Sequence, residues 1–251
     1  SAITLFKSSN DEATDAMGEF QDTTKKQIDN LDLLFAILQN TEKGTKTHGD
    51  AIEKINQICK EYNKTLLDEN ATLDEQKGKY EELATAIQNA TAEKIKAKYV
   101  EQEMQKYLEA SNDNFDTFVD RSENAQYDTG QRRTVYSGGS SYEVPIMAAA
   151  DNIRNMGSAV QEAIRSQVEE AAKALSTMSG DAFTQEYNRV ISAILNSTQA
   201  ATKATDAEIA GFKGNIETYL NDQIVKAKDM QTAIGRLNEQ LSAYFAPKDT
   251  K

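Results

Sequence analysis

Few side chains in this sequence are suited to covalent chemistry. Cys59 and His48 are the single cysteine and the single histidine, and they fall in one segment, so a thiol nucleophile with an imidazole base is the first arrangement to weigh. Neither an oxyanion-type loop nor an orienting carboxylate motif accompanies them. Cys59 stands at helical spacing with Ile52, Ile55 and Tyr62, which reads as core packing. His48 lies beside Gly49 just before a helix, where exposure to solvent is expected. Zinc and iron sites need His and Cys in clusters, and one of each makes no cluster. Asp68, Glu69, Asp74 and Glu75 could be pictured around calcium, but the glycine and the regular oxygen spacing of a calcium loop are missing. The acidic group reads instead as a helix start favoured by the macrodipole. Gly138 and Gly139 are followed by neither Lys-Ser nor Lys-Thr, so they do not form a phosphate loop. The sequence therefore predicts no catalytic residue, no metal ligand, no cofactor and no small-molecule substrate.

What remains is surface. Arg132, Arg133, Tyr136 and Tyr142 place cationic and aromatic groups on the one irregular stretch of the chain, a composition favoured at protein interfaces. Within residues 129–145, two β-prone arms, Thr134-Val135-Tyr136 and Tyr142-Glu143-Val144, flank a glycine turn and predict a small hairpin or flexible flap.

The elements around that flap are helical. From Tyr80, a template alternating three and four residues picks out Tyr80, Leu83, Ile87, Ala90, Lys94, Ala97, Glu101, Met104, Leu108, Ser111, Phe115 and Phe118. Nine of these twelve are apolar or aromatic, so residues 72–127 are predicted as one helix of roughly 80 Å with a packing seam. The seam is expected to be carried by Tyr80, Leu83, Ile87, Met104, Leu108, Phe115 and Phe118. Capping boxes at Ser9/Glu12, Thr47/Asp50, Thr72/Glu75 and Thr205/Glu208 coincide with the edges of apolar stripes and mark helix starts. A first helix should stop near Gly44, Pro145 should open the helix after the flap, and Pro247 should close the last one. Residues 1–8, with Ile3, Leu5 and Phe6, read as a strand or coil leading in. The predicted fold is all-α: long antiparallel helical hairpins in an elongated, coiled-coil-like bundle. It has an N-terminal half at 1–128, the flap at 129–145 and a C-terminal half at 146–251.

Composition agrees with thin, helical packing: 251 residues with two prolines, no Trp and 7% aromatics. The formal charge of −12 disfavours nucleic acid as a partner, because phosphate recognition needs a basic face. No apolar run is long enough for a membrane span, and no signal peptide is visible. The first residues are Ser-Ala rather than Met, so both ends are expected to continue into more chain. Sequons at Asn63, Asn70, Asn89 and Asn196 are ordinary in a chain this rich in Asn and Thr.

The wording of Leu31 to Met104, LDLLFAILQNTEKGTKTHGDAIEKINQICKEYNKTLLDENATLDEQKGKYEELATAIQNATAEKIKAKYVEQEM, resembles the helical repeats of phage and prophage tail tape-measure proteins. GDAFTQEYNRVISAILNSTQAATKATDAEI, from Gly180 to Ile209, is similar in style. The resemblance implies a helical scaffold inside a phage tail. Its span would set tail length, tube subunits would assemble around it, and it would leave during DNA ejection. The expected partners are then other tail proteins or copies of the chain itself, bound through helix–helix contacts. The expected location is the host cytoplasm during assembly and the virion tail afterwards. The other expectation is a helical binding module of a secretion or pore-forming system that contacts a membrane or receptor.

Overall fold

The computed structural model describes residues 9–246, with side chains from Asp11 onward. The expected lead-in at 1–8, the side chain of Ser9 and the stop at Pro247 lie outside the described residues. The chain is 77% helical, with seven helices and one two-stranded antiparallel sheet among the described residues. Its elements are α1 (Ser9–Asn40), α2 (Lys46–Glu61), α3 (Leu73–Glu123), β1 (Gln126–Ser137), β2 (Ser140–Ala149), α4 (Asp151–Arg154), α5 (Ser158–Leu175), α6 (Gly180–Thr202) and α7 (Asp206–Phe245). The all-α class with a small hairpin is as the sequence predicted.

Two of the predicted capping boxes form in full. The backbone N–H of Thr72 donates to Glu75 Oε2 at 2.6 Å, and the Glu75 N–H donates back to Thr72 Oγ1 at 3.3 Å. Thr205 and Glu208 repeat the exchange at 2.8 and 3.3 Å. The second helix begins earlier than expected, because Thr45 rather than Thr47 is its cap and accepts from the His48 N–H at 3.3 Å. α1 ends at Asn40, where Asn40 Nδ2 and Thr41 Oγ1 donate to the carbonyls of Ala36 and Ile37, and Gly44 takes a φ of +81° in the turn beyond. α3 ends at Glu123, short of Tyr127, with Ser122 Oγ and Asn124 Nδ2 donating to the carbonyls of Phe118 and Asp120.

Packing divides the described chain into two compact units that do not follow the expected halves. One takes the residues up to Glu103 together with those from Ala233 onward, and the other is Met104–Thr232. The split at 129–145 is thus not the packing boundary, because α3 and α7 each contribute to both units. A linear reading cannot see that the end of α7 returns to α1, where the rings of Phe20 and Tyr244 meet edge to face at 4.9 Å.

The first unit holds two apolar clusters. Leu31, Leu34, Phe35 and Leu38 of α1 pack with Ile52, Ile55 and Cys59 of α2, with Leu67 and Ala71 of the connecting loop, and with Leu83 and Ile87. That loop is held by Asn56, whose carboxamide donates to the Leu67 carbonyl at 3.0 Å and accepts from its N–H at 2.7 Å. The other cluster joins Ala13 and Phe20 to Ile95, Tyr99, Leu237 and Leu241. In the second unit, one core gathers Phe115 and Phe118 with Ile164, Val168, Leu175, Ile191, Ile194, Phe212, Ile216, Tyr219 and Leu220. Phe118 and Tyr219 stack at 4.9 Å in its middle.

The seam of α3 differs from its expected form. Leu83 and Ile87 are buried at one end, Phe115 and Phe118 at the other, and Tyr80 is half-buried with its hydroxyl donating to Asp32 Oδ1. Between them the buried positions are Thr91, Ile95, Tyr99, Glu103, Tyr107 and Ser111, a step of four, with Ala92 buried beside Thr91. Met104 and Leu108 are 40% and 47% exposed and do not belong to it. A step of four advances about 40° around the helix each time, so the buried row follows an i, i+4 ridge. The three-four template stays nearer one face, loses phase after Ile87 and regains it at Ser111. Leu108→Gln is accordingly expected to change unfolding free energy by no more than about 0.5 kcal/mol, as at an ordinary surface site. A loss well above that in urea denaturation would return Leu108 to the seam.

Candidate functional site

The residues proposed for covalent chemistry do not come together. His48 and Cys59 lie on α2 eleven positions apart, which the helical rise converts to about 16 Å along the axis. Contrary to expectation, His48 is buried, only 2% exposed, with Nδ1 3.4 Å from Thr41 Oγ1. The Thr41 hydroxyl already donates to the Ile37 carbonyl, so the ring approaches it as a donor. Cys59 is wholly buried, and burial pushes its thiol above the ordinary value, although Lys79 opposes this. Asp68 closes a local turn by accepting from the Asn70 N–H at 2.7 Å. Glu75 completes its capping box, and the N–H and hydroxyl of Thr72 hold its carboxyl below the usual range. No group of three or more potential metal-binding side chains converges among the described residues.

A second cluster, invisible in the sequence, crosses the core of the Met104–Thr232 unit. Gln223 is fully buried, and its Nε2 donates to the Ser111 carbonyl at 3.2 Å. Ser111 Oγ donates to Glu169 Oε1 at 2.8 Å, and Glu169 also accepts from Arg165 Nε at 2.8 Å. The Arg165 guanidinium lies 4.8 Å over the ring of Phe115. Tyr107 and Tyr219 are buried beside this layer, the Tyr107 hydroxyl without a hydrogen-bond partner, and burial raises both phenols, with Glu169 adding to it. These bonds tie α3, α5 and α7 at one level. A slip of one residue between them would break both contacts of Ser111, so the layer fixes register.

The predicted surface residues lie on the hairpin. Strands β1 and β2 pair from Ser137↔Ser140 back to Arg132↔Pro145, and again from Asp128↔Met147 to Gln126↔Ala149. Pro145, expected to start a helix, is therefore a strand residue, and the next helix begins only at Asp151. Between the two ladders, Thr129, Gly130 and Gln131 oppose Ile146 alone, forming a bulge. Asp128 shapes it: its Oδ1 accepts from the Gly130 N–H at 2.8 Å and from Arg132 Nη1 at 2.9 Å, and both donors hold its carboxyl down. Gly130 has a φ of +80°, the left-handed conformation that glycine supplies at such a bulge. At the tip, Gly138 and Gly139 both have positive φ, the two-residue turn that suits the right-handed twist of a hairpin.

The pairing separates the four residues. Directly opposed side chains share a face and neighbours alternate, so Arg132, Thr134 and Tyr136 lie on one face with Ser141, Glu143 and Pro145. Arg133 and Val135 lie on the other with Tyr142 and Val144. Each face carries one arginine and one tyrosine. Tyr136 is 82% exposed and Tyr142 51%, and Arg132 and Arg133 are also exposed.

The root of this arm is held firmly. The Ala150 N–H donates to the Ala125 carbonyl at 3.0 Å across its base, and Arg154 Nε donates to the Glu123 carbonyl at 2.8 Å. Tyr127 is half-buried against the core. At Gly211 of α7, an added Cβ would stand 2.6 Å from the carbonyl oxygen of Gln126. Glu208 clamps the exit of the hairpin. Besides its capping contacts, Oε1 accepts from the Asn152 N–H at 3.1 Å and Oε2 from Asn152 Nδ2 at 3.0 Å. Burial alone would raise this carboxyl. The donors from Asn152 and Thr205 outweigh burial and bring it down to about 2. The Thr205/Glu208 spacing signalled a cap; nothing in the sequence signalled that Asn152 would share it.

No family model, curated protein or solved structure matches this chain.

Proposed function

We propose that this is a structural assembly protein that works by helix–helix contact and presents the β1–β2 hairpin as its contact arm. The observation that carries the reading is the mounting of the hairpin. An exposed ribbon with aromatic and cationic residues on both faces is anchored at its root by the Glu208–Asn152 clamp and the Gly211 contact. A two-stranded ribbon is marginal in water by itself, so a well-anchored root with an uncovered distal half suits an element completed by a partner. Following the resemblance of Leu31–Met104 to tape-measure sequences, the assembly is a phage tail and the partners are other tail proteins or copies of the chain. The reaction-bearing residue types, His48 and Cys59, are each buried within helical packing, and no catalytic role is assigned to them.

Deleting the coding region in a phage or prophage that carries it tests this reading. Tailless or short-tailed particles are expected by negative-stain microscopy, and tails of normal length would overturn it. Contact with a membrane or receptor is the second reading. It is favoured by exposed Tyr136, Tyr142 and Met147 on the hairpin, whereas no described helix is long and apolar enough to cross a membrane. Liposome flotation at moderate salt separates the two, since clear lipid binding would favour the second.

A further inference from the structure

We propose that the hairpin pairs with the hairpin of a second copy of this chain, β1 against β1, to make a four-stranded antiparallel sheet. The argument begins at the turn. In a hairpin closed by a two-residue loop, the residues flanking the loop form a hydrogen-bonded pair, and backbone groups then alternate inward and outward along each strand. Ser137, Val135 and Arg133 therefore direct their N–H and C=O groups toward β2. Tyr136, Thr134 and Arg132 direct theirs to the open edge. On β2 the outward positions are Ser141, Glu143 and Pro145.

The two edges are consequently unequal. Pro145 lacks an N–H at the position where an added strand would need one, and Glu143 places an acid on the same edge, both ordinary guards against strand addition. On β1 all three outward residues have a donor and an acceptor. Toward the root, the bulge at Thr129–Gln131 ends this window, and at the tip the glycine turn ends it.

The window is self-complementary. Opposed residues must share a face, so an antiparallel β1–β1 pairing requires position numbers with an even sum. Centred on Thr134, it sets Thr134 against Thr134, Arg132 against Tyr136 of the second copy, and Arg133 against Val135. Hydrogen-bonded pairs then fall on Arg132, Thr134 and Tyr136, the residues whose backbone groups are open. The two-fold axis creates two guanidinium–phenol contacts and places no like charges opposite each other. Residues 126–149 contain Asp128, Glu143, Arg132 and Arg133 and are therefore neutral in a chain of formal charge −12, so two copies can approach here without the repulsion expected elsewhere. The pairing rests on the hairpin being the contact arm. A chain that stays monomeric while its deletion still abolishes tails would remove the pairing and leave the assembly reading standing.

The test uses the full chain. Sedimentation velocity is expected to show reversible, concentration-dependent dimerisation. Thr134→Pro removes an outward N–H from each copy and no internal ladder bond, and should weaken association by about tenfold or more. Because Cys59 is buried, a single introduced thiol can be read cleanly. Thr134→Cys should form disulfide-linked dimers on mild oxidation, since Cα atoms of a hydrogen-bonded pair lie about 5.5 Å apart, whereas Glu143→Cys on the guarded edge should not. A wild-type chain that remains monomeric into the millimolar range would overturn the proposal. So would unchanged association in Thr134→Pro, or equal cross-linking at positions 134 and 143.

Discussion

Glu208→Gln should lower the unfolding free energy by about 2–3 kcal/mol at neutral pH, with the deficit shrinking as the solution is acidified. The carboxylate is 4% exposed and accepts from the N–H and hydroxyl of Thr205 and from the N–H and side chain of Asn152. A carboxamide offers one acceptor and turns an NH2 group toward these same donors, so at least one buried donor loses its partner. The folded-state value of about 2 lies below the ordinary glutamate value of 4.5. Between those two values the unfolded chain binds the proton more readily than the folded one, so stability there rises with pH. The contribution is complete above about 4.5 and disappears as pH falls through about 2. At about 1.4 kcal/mol for each pH unit, its ceiling is roughly 3 kcal/mol. The hydrogen bonds of the clamp are only part-buried, so the lower half of the range is expected. Urea denaturation of both proteins from pH 7 to pH 2.5 checks this. A difference that stays constant with pH would mean that the carboxylate charge contributes nothing and that only shape was lost.

The features legible in the sequence were those with local causes. The Thr72/Glu75 and Thr205/Glu208 boxes, the glycine turn at Gly138-Gly139 and the burial of Cys59 each depend on residues a few positions apart, and each is present in the structure. The middle of the α3 seam was not legible, because a template with one average spacing cannot follow a buried row that steps by four. Pro145 failed for another local reason. A proline is compatible with a first helical turn and also with the outward position of an edge strand, and only the pairing with Arg132 decides between them. His48 looked like a loop residue, yet it lies inside α2 with its ring directed at Thr41. The candidate surface was legible as composition but not as geometry. Arg132, Arg133, Tyr136 and Tyr142 were visible as a group, whereas their division between two faces depends on a register that the bulge at Thr129–Gln131 helps to set. The clamp under the hairpin joins Asn152 to Glu208 across 56 positions, a separation that no local pattern reports.

The hairpin mount makes a second strong prediction at Gly211, in which two glycines on the same helix should respond with opposite signs. Both Gly211 and Gly214 lie inside α7, where glycine costs about 1 kcal/mol relative to alanine through lost chain entropy. A Cβ at Gly214 meets nothing within 4 Å, so Gly214→Ala should stabilise the protein by up to about 1 kcal/mol. At Gly211 the same atom would stand 2.6 Å from the Gln126 carbonyl oxygen, 3.0 Å from Tyr127 Cβ and 3.1 Å from Tyr127 Cα. Two of those atoms are backbone, and a side-chain rotation cannot clear them. The first residues of β1 must move off α7, which also strains the Ala125–Ala150 bond at the hairpin base. Overpacking of this kind costs about 1–3 kcal/mol. The helix-propensity gain offsets part of it for Gly211→Ala, giving a net loss of up to about 2 kcal/mol, whereas Gly211→Leu should lose about 3 kcal/mol. Hydrogen exchange adds the decisive detail. In Gly211→Leu, amides of β1 and β2 should lose protection before those of α5 and α6, because the damage lies at the root of the arm. Stabilisation by Gly211→Ala equal to that of Gly214→Ala would show that β1 is not pressed against α7, and the anchored arm would lose its main support.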